Sequence, residues 1–184
     1  RATRTVLDRV FDCLARWLAP MLCFTAEEAW LARHGDGAAT SVHLQLFPEV
    51  PASWRDPDLA AKWDKIRELR RVVTGAIELE RAQKRIGSSL QAEAEIFADG
   101  SYLAALAGVD LAEICITSSG TLRQAAAPGG AFALPDVAGV AVRIVAASGE
   151  KCQRCWRVLQ EVGTVVDHAD LCVRCADAVT HAHG

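Results

Sequence analysis

Apolar side chains recur at three- and four-residue steps from the first residues of the chain. Leu7, Val10, Phe11, Leu14, Trp17 and Leu18 fall on one side, with Arg4, Asp8, Arg9, Asp12 and Arg16 opposite. That period predicts an amphipathic helix over residues 2–19, stopped or kinked by Pro20. "TAEE" then reads as a capping box, with Glu28 reaching back to the Thr25 amide. The second helix is predicted to run to about His34, with Gly35 and Gly37 ending it. Two helices with one apolar face each need a partner, so this part reads as the end of a helical bundle. In "SVHLQLFPEVP", Val42, Leu44 and Leu46 alternate, which predicts an extended connector closed by Pro48 and Pro51.

"DPDL" opens a third helix, with Asp56 as cap and Pro57 in the first turn. Leu59, Trp63, Ile66, Val73 and Ile77 form its stripe, and it is expected to reach about Lys84 before "KRIGSSL" closes it at Gly87. The period then shortens. "QAEAEIF" alternates as a strand, "GSYLAALAG" is a short helix closed by Gly108, and "LAEICIT" and "VAVRIVAA" read as two further strands. The Ala/Gly/Pro stretch at 125–135 is a loop. The fold class is therefore an α+β chain in three parts: bundle helices at 1–47, a long helix leading into a small β-α-β-β unit at 48–148, and a cysteine-rich tail at 149–184.

Composition changes this picture in three places. The net charge is −3, yet residues 62–85 hold eight Lys/Arg against four Asp/Glu, a local basic surplus in an otherwise acidic chain. Such a surplus fits an anionic partner or a solvated helix face equally well. No run of about eighteen uncharged apolar residues exists, so no membrane span and no membrane partner is expected. The chain starts without Met inside a helical pattern and shows no secretory signal, which reads as a piece of something longer.

The chemistry lies in the cysteines. Cys13, Cys23 and Cys115 sit singly in apolar surroundings and read as small buried hydrophobes in a reducing, cytoplasmic setting. The other four, Cys152, Cys155, Cys172 and Cys175, form two CxxC pairs separated by sixteen residues. Two such knuckles can aim four thiolates at one tetrahedral Zn²⁺ at about 2.3 Å, and four thiolates leave no open position for water. The expectation is one structural zinc ion and no catalytic residue. His168, His181 and His183 are not required as ligands, and the last two read as mobile tail. Lys151, Arg154, Arg157 and Arg174 beside the knuckles either neutralise the thiolate charge or, with Trp156, offer a platform for unstacked bases. Trp156 could equally be the core of so small a module.

At these residues the chain resembles a known family. "LARWLAPMLCFTAEEAW", "SVHLQLFPEVP", "ERAQKRIGSSLQA" and "GEKCQRCW…LCVRC" are similar, in that order, to the C-terminal part of bacterial isoleucyl-tRNA synthetases. The finger also resembles that of formamidopyrimidine-DNA glycosylases. The resemblance implies a ligase that attaches isoleucine to its tRNA with ATP, of which this is the portion at the anticodon stem and loop. It implies Cys152, Cys155, Cys172 and Cys175 as zinc ligands, and it tips Arg154 and Trp156 toward RNA contact. Arg157, Arg174, Lys84 and Arg85 join them as candidate RNA-binding residues. No HIGH-type or KMSKS-type motif and no editing domain is present, so ATP and Mg²⁺ would bind only in a catalytic domain outside this chain. The expected partner is isoleucine-accepting tRNA, bound by a monomer, with no DNA partner. Gln91 stands where the family pattern suggests glutamate. The competing readings are a zinc-stapled protein-interaction module and a DNA-repair-type zinc-finger module. The second would also need a helix-two-turn-helix segment and an N-terminal catalytic proline or lysine.

Overall fold

The structure is a computed structural model that describes residues 2–35, 37 and 40–181; His183 lies outside the described residues. The chain divides into two compact units, Arg1–Asp56 and Pro57–Gly184.

The first unit pairs helix α1 (Ala2–Leu18) with helix α2 (Cys23–His34). Ala15, Ala19, Ala26, Trp30 and Val42 are buried together with part of Phe11, whose ring stacks on Trp30 at 6.4 Å. Small alanines at the contact let the two helix backbones approach closely. Much of the predicted α1 stripe nevertheless stays exposed, including Leu7, Val10, Leu14 and Trp17.

Two sequence expectations change here. The Thr25 capping box does not form, because α2 begins two residues earlier. The turn after Pro20 is closed by Leu22 N–H donating to the Leu18 carbonyl, and the Ala26 amide donates straight back to Leu22. Thr25 is already inside the first helical turn. Gly35, at φ 84°, ends α2 as expected. The connector is also not evenly extended. Val42–Leu44 forms one 3₁₀ turn, capped by Ser41, that buries Val42 and exposes Leu44 and Leu46. A carboxylate oxygen of Glu27 accepts from the Val42 amide at 2.8 Å and fixes that turn against α2.

The second unit is built on helix α3 (Pro57–Ala82) lying across a three-stranded sheet. The strands are β1 (Ala92–Ala98), β2 (Ser119–Arg123) and β3 (Val140–Ala146), in the order β2-β1-β3. β1 runs parallel to β2 and antiparallel to β3. Alternation decides the faces. Ala92, Ala94 and Ile96 are fully buried toward Ile66, Leu69, Val72, Val73, Ala76 and Ile77 of α3. On the other face Glu95 bridges Arg143 and Arg123. Small side chains at the middle of β1 let α3 pack close to the sheet. Gly75 serves the same end, since a Cβ there would lie 2.6 Å from the Phe132 ring.

Helix α4 (Gly100–Leu106) is capped by Asp99 and followed by Gly108 at φ 72°, as the pattern predicts. The expected strand at "LAEICIT" is instead helix α5 (Leu111–Cys115). Asp110 caps it by accepting from the Ala112 and Glu113 amides, which outweighs a short alternating pattern. Ile116, at φ 55°, then turns the chain into β2.

α3 ends at Ala82 rather than at Gly87. The Arg85 amide bonds to the Glu80 carbonyl and the Lys84 amide to that of Arg81, with Lys84 at φ 58°. This is a Schellman ending with lysine where glycine is usual. The tail adds a two-stranded hairpin, β4 (Glu150–Lys151) and β5 (Val158–Leu159), and helix α6 (Val173–Thr180).

Candidate metal centre and nucleic-acid interface

The first cysteine pair sits in the tight turn between β4 and β5. The Cys152 amide donates to the Arg157 carbonyl at 2.9 Å, and the Trp156 amide donates to the Cys152 carbonyl at 2.9 Å. The second pair opens α6: Cys172 precedes its first residue, and the Cys175 and Ala176 amides both donate to the Cys172 carbonyl. The Gln153 amide ties the two turns together through the Asp170 carbonyl at 3.0 Å. The result brings all four sulfurs within 4.8 Å of one another, with Cys155 and Cys172 at 3.7 Å. A tetrahedron with bonds of about 2.3 Å has edges of about 3.8 Å, so the cluster is shaped for a zinc-sized ion.

Its electrostatics point the same way. Burial would push the Cys152 thiol up, but the backbone amides of Cys155, Cys172 and Arg154 outweigh it and hold the thiol below its usual range. Burial pushes Cys172 the other way, above that range, with the neighbouring thiols adding to the rise. Four thiols this close cannot all ionise without a cation among them, and a divalent metal is the charge that lets them do so. Around them, Arg154 Nη1 lies 3.7 Å from the Cys175 sulfur, and the Arg174 guanidinium is drawn to Cys155, which raises the arginine further. Both arginines therefore offset thiolate charge.

The structure separates the other candidates. Trp156 is 60% exposed, so it is not the core of the module. That core is Leu171 and Ala176 around the thiols, with Leu159, Val162, Val165 and Val179 packed against them. The Lys151 ammonium lies 5.4 Å from the indole centroid. Trp156 sits at φ 66°, a left-handed conformation that costs a non-glycine residue roughly 1–2 kcal/mol. Arg157 turns inward, its guanidinium donating to the Ser118 carbonyl with Nε at 3.0 Å. It lies off the outer face that its position beside Trp156 implies. His181 caps the end of α6 through Asp177.

Five of the eight bases of residues 62–85 are ion-paired. Lys65 pairs with Glu68, Arg67 with Asp64, Arg71 with Asp136, Arg81 with Glu78 and Arg85 with Glu80. Arg70 donates to the Ile114 carbonyl and Lys62 to that of Ala107. Among the described residues, Lys84 is the one base of this set whose side chain has no partner. Ser118 is invisible in the sequence: nothing in "ITSSG" marks one serine as a junction.

Comparison with known proteins places this geometry. The model of the anticodon-binding domain of tRNA ligases matches residues 1–96. The chain belongs to that family. A second model, a zinc finger found in FPG and IleRS, matches residues 149–178 and spans all four clustered cysteines. The anticodon-binding family member is 52% identical over 180 residues to the isoleucine–tRNA ligase of Agrobacterium fabrum, covering 97% of this chain and 18% of that protein. It is 51% identical over 185 residues to that of Mesorhizobium japonicum, with 98% and 18% covered. The Bradyrhizobium diazoefficiens ligase is 48% identical over 180 residues. The chain thus corresponds to the anticodon-binding and zinc-finger portion of isoleucine–tRNA ligases and spans 18% of the length of these curated relatives. No described helix is long and apolar enough to cross a membrane.

Proposed function

We propose that this chain is the part of an isoleucine–tRNA ligase that grips the anticodon arm of isoleucine-accepting tRNA. The protein it belongs to would attach isoleucine to that tRNA with ATP and Mg²⁺ bound elsewhere, acting as a cytoplasmic monomer. Cys152, Cys155, Cys172 and Cys175 would hold one Zn²⁺, whose chemistry here is to neutralise and tie four thiolates. We take residues 1–47, 48–148 and 149–184 as bundle, α/β unit and finger. The three cysteines outside the cluster, Cys13, Cys23 and Cys115, are free thiols and support a reducing location.

The observation that carries this reading is Trp156. An exposed indole on a metal-stiffened turn, with Lys151 beside it and Arg154 two residues away, is a stacking surface for a splayed base. Lys84, Arg85 and Arg174 would meet phosphates, Arg85 by exchanging its partner Glu80 and Arg174 while still facing the thiolates. Trp156→Ala is expected to weaken tRNA binding by roughly 1–3 kcal/mol with the salt dependence nearly unchanged. Neutralising Lys84 and Arg85 should instead weaken all tRNAs alike and flatten the salt slope by about 0.7–0.9 for each phosphate no longer neutralised. Trp156→Gly separates RNA stacking from folding, because glycine accepts φ 66° freely. It should keep zinc at least as firmly while binding RNA as weakly as the alanine variant. Full tRNA affinity in an intact Trp156→Ala finger would leave the finger as a staple only.

A further inference from the structure

We infer that Arg157 and Ser118 form a latch that fixes the orientation of the finger on the sheet, which makes Arg157 a positioning residue and not an RNA contact. The inference deepens the proposed function and rests on it for its RNA consequence. Ser118 is fully buried at the entrance to β2. Its amide donates to the Ala92 carbonyl at 2.9 Å and its hydroxyl to the Leu90 carbonyl at 2.5 Å, so both ends belong to the sheet side. Two groups of the finger then close on it. The half-buried Arg157 guanidinium donates through Nε and Nη2 to the Ser118 carbonyl, and the Val158 amide donates to Ser118 Oγ at 2.6 Å.

Gln160 adds a bond to Ser148 Oγ at 3.1 Å. Gly149 adds proximity: its backbone, at φ 115°, passes so near β5 that any Cβ would collide with the Leu159 carbonyl group. On its other side Arg157 accepts from the amide of Cys152 and is chain-adjacent to Trp156. A continuous path of hydrogen bonds therefore runs from β1 through Ser118 and Arg157 to a cysteine of the cluster, and the indole is one residue from it. The half-buried guanidinium spends its Nε–Nη2 edge on a buried carbonyl, and lysine, with its single point of charge, reproduces that fork only in part.

The test uses the full chain, zinc-loaded, with Arg157→Ala, Arg157→Lys, Ser118→Ala, Trp156→Ala and the Arg157→Ala/Trp156→Ala pair. Three quantities are read: zinc per chain, ¹⁵N relaxation of finger amides against sheet amides, and affinity for isoleucine-accepting tRNA. Arg157→Ala and Ser118→Ala should each keep one zinc while the finger amides reorient faster than the sheet. Affinity should fall about tenfold in Arg157→Ala and recover in part in Arg157→Lys, and the double variant should be no weaker than Trp156→Ala alone.

The latch is overturned if finger and sheet still tumble as one body in both alanine variants, or if both variants lose zinc. It is overturned equally if the Arg157 and Trp156 effects multiply, which would make Arg157 a contact in its own right. Unchanged affinity in Trp156→Ala would remove the stacking contact proposed above, and the relaxation result would then decide the latch by itself.

Discussion

Chelating the metal from the zinc-loaded chain is expected to unfold the finger and leave the α3–sheet core standing. The finger's buried cluster is Cys152, Leu171, Cys172, Cys175 and Ala176, so three of its five members are thiols. Without an ion these become small hydrophobes around a charge problem, and the remaining apolar surface is too slight to offset the cost of ordering the segment. Structural zinc contributes apparent binding energies of about 10–16 kcal/mol in comparable modules, which here is folding energy. The α3–sheet cluster shares no residue with the finger cluster. Amide hydrogen exchange after chelation should therefore show protection abolished over residues 149–180 and kept in β1 and α3. Cys172→Ser should do the same. Retained protection in the finger after complete zinc removal would sink the claim.

The second large effect is expected at Leu69→Ala. Leu69 is fully buried at the centre of α3, among residues that close on β1 and β3. Removing its side chain leaves a cavity that a packed helix cannot collapse, at a cost of about 2–5 kcal/mol. Leu59, on the same helix but 49% exposed, should cost less than about 1 kcal/mol on the same substitution. Urea unfolding reads the difference directly, as a shift of midpoint at constant slope. Equal shifts for the two variants would mean that α3 is not seated as described.

The pair also shows how far sequence patterns reach. Leu59, Trp63, Ile66, Val73 and Ile77 are legible as one stripe, and the inner members are indeed core. Burial along that stripe depends on what lies opposite, and periodicity says nothing of length of cover. The cysteine cluster is legible because ligand spacing is nearly a geometric statement. "LAEICIT" misleads because seven residues fit either period, and the deciding group, Asp110, stands just outside the pattern. Thr25 looks like a cap because its motif is local, while the turn that displaces it is set by backbone bonds back to Leu18. The basic surplus of residues 62–85 is real in the count and largely persists: the segment's four acids pair with four of its eight bases, and Asp136 from a distant loop pairs with one more. The partnership of Ser118 with Arg157 carries no signal at all, although Arg157 itself stands out as a base beside the knuckle. Their partnership spans 39 residues and is made by a carbonyl, a group every residue has.

That distance has a consequence for the order in which the molecule is made. Synthesis delivers β1, then Ser118 and β2, then β3, and the cysteines last. The sheet orders Ser118 through Leu90 and Ala92, groups wholly upstream of the finger, so the receiving half of the dock is finished before the first knuckle emerges. A newly made finger therefore meets a dock already in place, and Arg157 and Val158 close on it as the knuckles take up their metal. Ion capture thus folds the finger and docks it in one closing step, onto a surface made by residues upstream of the cysteines.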